Sequence, residues 1–283
     1  MGGHRMENSR GPKNCGISLM FQGTSSSVGK SILATAFCRI LNQEGYKVAP
    51  FKAQNMASNS YIIKTGEEMS TTQVLQAKAA GLEPDVRMNP IFLKPTGHTG
   101  SEVIIMGETQ GNLSAMKYHG DYQRKTWPIV EKALYELLEE NEILIIEGAG
   151  SPAEVNLKAN DIVNMRVAKE INAPVILIAD IDRGGALAAV VGTLELLDPD
   201  ERELVKGIIF NKFRGDIKLL QPALDFIEER TGIPVVGVVP YCQFNVPEEN
   251  STTKEQYFNQ LADWVKNSVD MTKIRSIMGL MKG

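Results

Sequence analysis

Cysteine is scarce, with three in 283 residues, at Cys15, Cys38 and Cys242. They are scattered, odd in number and form no C-x-x-C pair, which argues against a disulfide scaffold or a zinc ribbon and fits a reducing cytoplasm. Histidine is equally rare (His4, His98 and His119), and none is spaced with a cysteine as metal ligands are, so no nitrogen/sulfur metal centre is expected. No apolar run approaches the roughly 20 residues that a membrane-spanning helix needs. An excess of positive charge is also missing: 30 Lys and Arg stand against 34 Asp and Glu, a formal net charge of −4. That removes the broad electrostatic footprint of a nucleic-acid binder but leaves room for a local basic pocket facing an acidic substrate. The polar, glycine-rich start, residues 1–14, lacks the apolar centre of a secretory signal and is expected to be a disordered tail.

Apolar residues make up 43% of the chain and charged residues 23%, enough for a sizeable core in a soluble protein. Short apolar runs punctuate the chain. Ile17–Gln22, Lys47–Lys52, Ile143–Glu147, Val175–Asp180, Gly207–Asn211 and Val235–Val239 read as strands. Runs such as ILIIE and VILIAD are apolar nearly throughout and do not alternate with polar residues, as strands covered on both faces require. Helical patterns lie between them. Ile32 to Leu41 forms one apolar face, Trp127 to Leu138 another with Pro128 in its first turn, and Leu219–Glu229 and Gln256–Val265 two more, the last with Thr252 and Glu255 as a capping box. The alternation predicts an α/β fold with a mostly parallel sheet and helices on both faces. From Ala53 to Gly120 the rhythm breaks into a polar segment in which only a helix, Thr71–Gly81, and a strand, Val103–Met106, are legible. Long polar insertions of this kind commonly carry a binding surface.

The first strand runs into Gly23-Thr24-Ser25-Ser26-Ser27-Val28-Gly29-Lys30-Ser31, which opens a helix. Glycines allow the tight turn, backbone N–H groups face phosphate oxygens, and the helix N-terminus favours an anion. In such a loop Lys30 reaches the β- and γ-phosphates and the Ser31 hydroxyl binds Mg2+ with ATP. The loop holds one residue more than usual between Gly23 and Gly29-Lys30. A rival pattern, Gly148-Ala-Gly150-Ser-Pro-Ala153, fits a dinucleotide fingerprint but carries Pro152 and lies mid-chain, so it is the weaker phosphate site.

Ligands of open parallel sheets gather at the carboxyl ends of the strands. Glu147, Asp180, Asp182, Lys52 and Asn211 all fall there. Glu147 is the first choice as magnesium ligand with Ser31. Lys52 is placed to neutralise a transferred phosphoryl group or a substrate carboxylate, and Lys94 is a weaker candidate of that kind. Asn211 is either a reader of a nucleotide base edge or a turn residue.

Taken together, GTSSSVGKS, APFKAQNMASNS, NPIFLKPTGHTGSEVIIMG, EGAGSPAEVNLKANDIVNM, ADIDRGG and NKFRGD, in order from about Ile17 to Glu249, closely resemble the synthetase domain of the cobyric acid synthase family. The loop itself resembles the dethiobiotin synthetase type. The resemblance implies a P-loop synthetase domain over residues 15–250; the short, apolar and basic end is read from its residues as a C-terminal helical segment, 251–283, packed on that domain. It implies ATP-dependent amidation of corrinoid carboxylates through an acyl phosphate. By the same resemblance Gly23 to Ser31 hold the triphosphate, Glu147 and Ser31 bind magnesium, Lys52 stabilises the transferred phosphoryl group and Asn211 contacts adenine. Gln54, Asn55 and the block Ser151 to Asn156 would line the corrinoid side, and Lys94 and Asp182 are added as substrate-facing candidates from their places near strand ends. Where dethiobiotin synthetase places an acid, Gln73 is the nearest match. None of the three cysteines stands on a Gly-x-Cys-x-Gly elbow, so ammonia is expected from a separate glutaminase subunit or from solution. A cytoplasmic homodimer follows by analogy. Competing readings are a partition or septum-placement ATPase switch, whose early loop lysine is replaced here by Thr24 and Ser25, another carboxylate-activating synthetase, and a regulatory nucleotide-binding module.

Overall fold

In this computed structural model, residues 16–96, 100–114, 123–243 and 251–280 are described. The expected tail, residues 1–14, lies outside them. The chain begins β1 (Ile17–Gly23), α1 (Lys30–Gln43) and β2 (Val48–Phe51). It continues through β3 (Gln54–Met56), β4 (Ser60–Ile62), β5 (Glu68–Ser70), α2 (Thr71–Ala79), β6 (Ile91–Pro95), β7 (Gly100–Ile105) and β8 (Glu108–Ser114). Then follow α3 (Gln123–Glu140), β9 (Ile143–Glu147), α4 (Met165–Glu170), β10 (Val175–Asp180), α5 (Ala186–Leu196) and α6 (Pro199–Arg202). The last elements are β11 (Val205–Phe213), α7 (Ile217–Thr231), β12 (Val235–Pro240), α8 (Ser251–Lys266) and α9 (Met271–Met278).

The six apolar runs form one sheet in the order β12-β11-β10-β1-β9-β2, parallel at every pairing. Both faces are buried, and the side chains of each strand divide between two cores. Leu19, Phe21, Ile143, Ile145, Ile176 and Ile178 pack with α1, α8 and α9. Met20, Leu144, Ile146, Leu177 and Ala179 pack on the other face, with α3, α4, α5 and α7. A run with no polar alternation is what such strands need, because neither face meets water.

The segment that broke the rhythm is more ordered than its composition suggests. It builds a second sheet, β3-β6-β7-β8, parallel between β3 and β6 and antiparallel beyond, and a small hairpin of β4 and β5. Ile91, Leu93 and Val103 of this sheet enter the same core as Phe51 and α3. The expected strand Val103–Met106 overlaps the end of β7, but the rest of this segment's strands escaped notice, β3, β4 and β5 being three residues each and β8 a polar strand that contains Gly111. Helix α3 starts at Gln123, so Pro128 stands inside the helix and not in its first turn. Helix α8 starts at Ser251, which places Thr252 within the helix and not at its cap.

At the C-terminus, Met271, Ile274 and Met278 of α9 are buried in the α1-side core. No helix among the described residues is long and apolar enough to cross a membrane.

Candidate active site: the phosphate loop and its carboxylate

Strand β1 lies between β10 and β9, so the loop that leaves its carboxyl end is flanked by the ends of both. Gly29 caps α1 in the left-handed region at φ 103°, where a side chain is strained. Gly23 is required for a different reason: a Cβ there would stand 2.5 Å from Val28 Cγ2 and 2.9 Å from Lys30 Nζ. The serines Ser25, Ser26 and Ser27 are exposed, while Val28 is buried and anchors the turn. Thr24 N–H is tied to the Ile178 carbonyl of β10 at 2.9 Å.

Lys30 curls back over the loop. Its Nζ donates to the carbonyls of Ser25 at 3.0 Å and Gly150 at 2.8 Å. The ammonium is largely buried, and that burial pulls its pKa down from 10.5 to about 8. The Glu147 charge resists this shift and the Lys52 charge adds to it. An anion entering the loop restores the charge balance.

Glu147, at the end of β9, is the centre of the site. It is 1% exposed. Its Oε1 accepts from the Ser31 hydroxyl at 2.6 Å and from Lys52 Nζ at 2.7 Å, and its Oε2 accepts from Gln76 Nε2 at 2.9 Å. Burial pushes such a carboxyl up. The Lys52 charge and the hydrogen bonds from Lys52, Ser31 and Gln76 outweigh it and hold Glu147 below the ordinary carboxylate range. Lys52 reaches it because β2 is paired beside β9.

An open cavity of about 770 Å³ lies in front of these groups. Ser26, Ser27, Gly29, Lys30 and Ser31 line it together with Lys52, Glu147, Gln54, Asn55 and Ser151. The loop after β9, which formed the weak dinucleotide pattern, supplies wall residues and the Gly150 carbonyl that Lys30 holds.

Gly23, Thr24, Ser25 and Val28 of the loop do not line the cavity, and neither do four expected residues outside the loop. Lys94 is paired with Glu68 at 2.7 Å and Glu102 at 3.5 Å in the second sheet. Asn156 is exposed beyond the rim, and Asp182 pairs with Arg214 at 3.0 Å. Asn211 is 2% exposed and braces the loop: its Nδ2 donates to the Val28 carbonyl at 2.8 Å and its Oδ1 accepts from Lys212 N–H at 2.8 Å. Gln73 is fully buried and does not reach Glu147, whereas Gln76, one turn later, does.

Sequence reasoning missed three residues. Gln76 shares a helix face with Gln73 at a spacing of three, which was the available sign of it. Asn164 grips Ala149 by both its N–H (3.1 Å) and its carbonyl (2.7 Å), fixing the loop after β9, and nothing in its local sequence marks that role. Lys212 donates to Asp180 Oδ2 and to the Ser27 carbonyl, both at 2.7 Å, linking the end of β10 to the phosphate loop.

The family described as CobQ/CobB/MinD/ParA nucleotide binding domain matches residues 19–253. A cobyric acid synthase of Desulfitobacterium hafniense is 72% identical over 267 residues, 93% of this chain and 52% of that protein. Another, from Moorella thermoacetica, is 60% identical over 238 residues, 84% of this chain and 46% of that protein. The chain thus spans about half the length of the curated relatives it matches. Among solved structures, the signal recognition particle receptor FtsY from Elizabethkingia anophelis in complex with GDP is similar over 89% of this chain and 66% of that chain. The TM-score is 0.46 and the identity 16%.

Proposed function

The chain belongs to the CobQ/CobB/MinD/ParA nucleotide-binding domain family, and within it we propose that it acts as the ATP-dependent synthetase half of a cobyric acid synthase. It would amidate side-chain carboxylates of adenosyl-cobyrinic acid a,c-diamide. The observation that carries this reading is a second buried lysine, Lys52, held on the same carboxylate as the phosphate-loop Ser31 in the lining of a cavity of about 770 Å³. The identity of 72% to a protein named cobyric acid synthase supports the choice of substrate.

A carboxylate is a poor acyl donor because oxide is its leaving group. In the proposed reaction a substrate carboxylate oxygen attacks the γ-phosphorus, the bond from that phosphorus to the ADP oxygen breaks, and an acyl phosphate forms. Ammonia then attacks the acyl carbon, the carbon–oxygen bond to phosphate breaks, and the surplus proton leaves with solvent. The protein has to align the reactants and neutralise developing charge. Lys30 serves the β- and γ-phosphates from within the loop. Lys52 faces the transferred group from the cavity side. No side chain is needed as nucleophile.

The donor set suits magnesium. The Ser31 hydroxyl and the Glu147 carboxylate are adjacent hard oxygens, and magnesium takes one or two protein ligands with phosphates and water making up the rest. Among the described residues no three His, Cys, Asp or Glu side chains gather as a protein cage, and this mode of binding needs none. Ser31 and Glu147 would hold the ion, which when bound neutralises charge on the phosphates.

The test is ATP hydrolysis with magnesium and ammonium, with and without cobyrinic acid a,c-diamide, while product mass is followed. Corrinoid-stimulated turnover with a loss of about one mass unit per carboxyl converted establishes the reading and shows that free ammonia suffices as nucleophile. If turnover appears only when a glutaminase and glutamine are added, the ammonia source is that partner. ATP binding that corrinoid never stimulates, with or without glutaminase, favours the switch ATPase instead.

A further inference from the structure

Glu147 is held by more than charge. Its Oε2, which neither Ser31 nor Lys52 occupies, accepts from Gln76 Nε2 at 2.9 Å. The same Nε2 lies 3.4 Å from the Ser31 carbonyl. A carboxylate only accepts hydrogen bonds, so the amide beside it must present its NH2 group, and the Gln76 oxygen is thereby turned away. That oxygen needs a donor, and Gln73 Nε2 supplies one at 3.4 Å. The Gln73 oxygen in turn accepts from Asn55 Nδ2 at 3.0 Å. Asn55 Nδ2 also donates to Ser70 Oγ at 2.6 Å. The direction of every amide in the row follows from the carboxylate at its end.

All three amides are buried, Gln76 at 1%, Gln73 at 0% and Asn55 at 7% exposure. Buried amides are costly unless their bonds are made, and leucine would fill the same space more favourably. Lys52 and Ser31 satisfy one oxygen of Glu147 but leave the carboxylate free to turn about its own axis. The bond to the second oxygen removes that freedom.

We infer that Gln76 is a positioning residue for Glu147, and that Asn55 and Gln73 hold Gln76 in place as a chain of amides running from the cavity wall to the carboxylate. The inference rests on the proposed reading of Glu147 as the carboxylate that serves the nucleotide's cation. It gives Asn55 a second role: its amide is spent inward as the anchor of the row while its residue lines the cavity. A neutral chain transmits position and no charge, so its loss changes where the carboxylate points and leaves the net charge of the site unchanged.

The test uses Mn2+ as the probe ion with ADP, without corrinoid or ammonia, so that its failure and the failure of the amidation reading are separate results. Gln76→Leu, Gln76→Asn (which keeps the amide but falls short of Glu147), Gln73→Leu and the double variant Gln73→Leu/Gln76→Leu are compared. Fold is followed by thermal melting, ADP affinity is measured in chelator, and Mn2+ affinity is measured by electron paramagnetic resonance titration. Gln76→Leu and Gln76→Asn are expected to bind Mn2+ about 10- to 100-fold more weakly, the usual effect of losing an outer support, with ADP affinity in chelator within about twofold. Gln73→Leu is expected to show a smaller loss that adds nothing in the double variant, because both residues act through one bond. Should Gln76→Leu not fold, Gln76→Asn carries the test. Unchanged Mn2+ affinity in the folded Gln76 variants, or losses that simply add in the double variant, would overturn the inference.

Discussion

The side-chain amide of Asn211 occupies the place where a Cβ on Gly29 would stand, and from there it donates to the neighbouring Val28 carbonyl at 2.8 Å. A residue from β11 thus shapes a loop that leaves β1, two strands away in the sheet. Gly29 is doubly fixed, by its left-handed φ of 103° and by this contact. Gly29→Ala is expected to cost about 1–3 kcal/mol from backbone strain alone, and to displace Asn211. Thermal melting and ADP titration check it: a lowered Tm with a marked loss of ADP affinity is the expected result. Intact affinity would mean that the loop does not need this brace.

Lys30 gives a pH signature. Its pKa of about 8 in the folded chain lies below the ordinary 10.5, mainly because it is buried. Between those values the unfolded chain keeps a proton that the folded chain has released, so nucleotide-free stability should rise with pH across that window. Phosphate binding needs the protonated form, so ADP affinity should fall as pH rises above about 8. Lys30→Ala should abolish ATP turnover, keep the fold and flatten both profiles. Normal turnover in that variant would remove Lys30 from the site.

Glu147→Gln leaves Lys52, 7% exposed, without its counter-charge. Breaking a buried pair from one side costs about 3–5 kcal/mol, and magnesium-dependent turnover should fall steeply. Because Glu147 is held below its ordinary value of 4.5, its stabilising contribution is complete above that pH and is lost as pH falls through the lowered value. Lys52→Met removes the charge that holds it down, so the acid-unfolding midpoint should move to higher pH. Unchanged activity and magnesium response in Glu147→Gln would move the cation to Asp180 or Asp182.

Lys212 bridges Asp180 and the Ser27 carbonyl from a left-handed backbone, φ 63°. Lys212→Met should lower ADP affinity by about tenfold, the worth of one charge-assisted hydrogen bond. Lys212→Gly should lose the same affinity while easing the backbone, so its Tm should exceed that of Lys212→Met. Equal affinity in all three proteins would show that the bridge does not hold the loop.

The parallel sheet was legible because burial on both faces leaves a plain mark, and the runs around Ile145 and Ile178 carry it. The loop from Gly23 to Ser31 was legible because its chemistry is local, with glycine, lysine and serine consecutive between a strand and a helix. Of the second sheet only the run at the end of β7 was, since three-residue strands such as β3 take their stability from partners distant in sequence. The same limit hid Gln76, Asn164 and Lys212, whose meaning lies in what they touch across the fold. Lys94 shows the converse: a lysine beside a proline at a strand end looks available in the sequence, whereas β7 places Glu102 directly opposite it.

Only Lys52 and Ala53 separate Phe51, the last residue of the large sheet's edge strand, from Gln54, the first of the small sheet. Two residues reach at most roughly 7 Å when fully extended, so this link is short. The Lys52 backbone is also clamped on both sides, its N–H by the Met88 carbonyl and its carbonyl by Asn89. The lysine that holds Glu147 is also the joint between the two sheets. Any displacement of β3 relative to β2 therefore has only Lys52 and Ala53 in which to be absorbed.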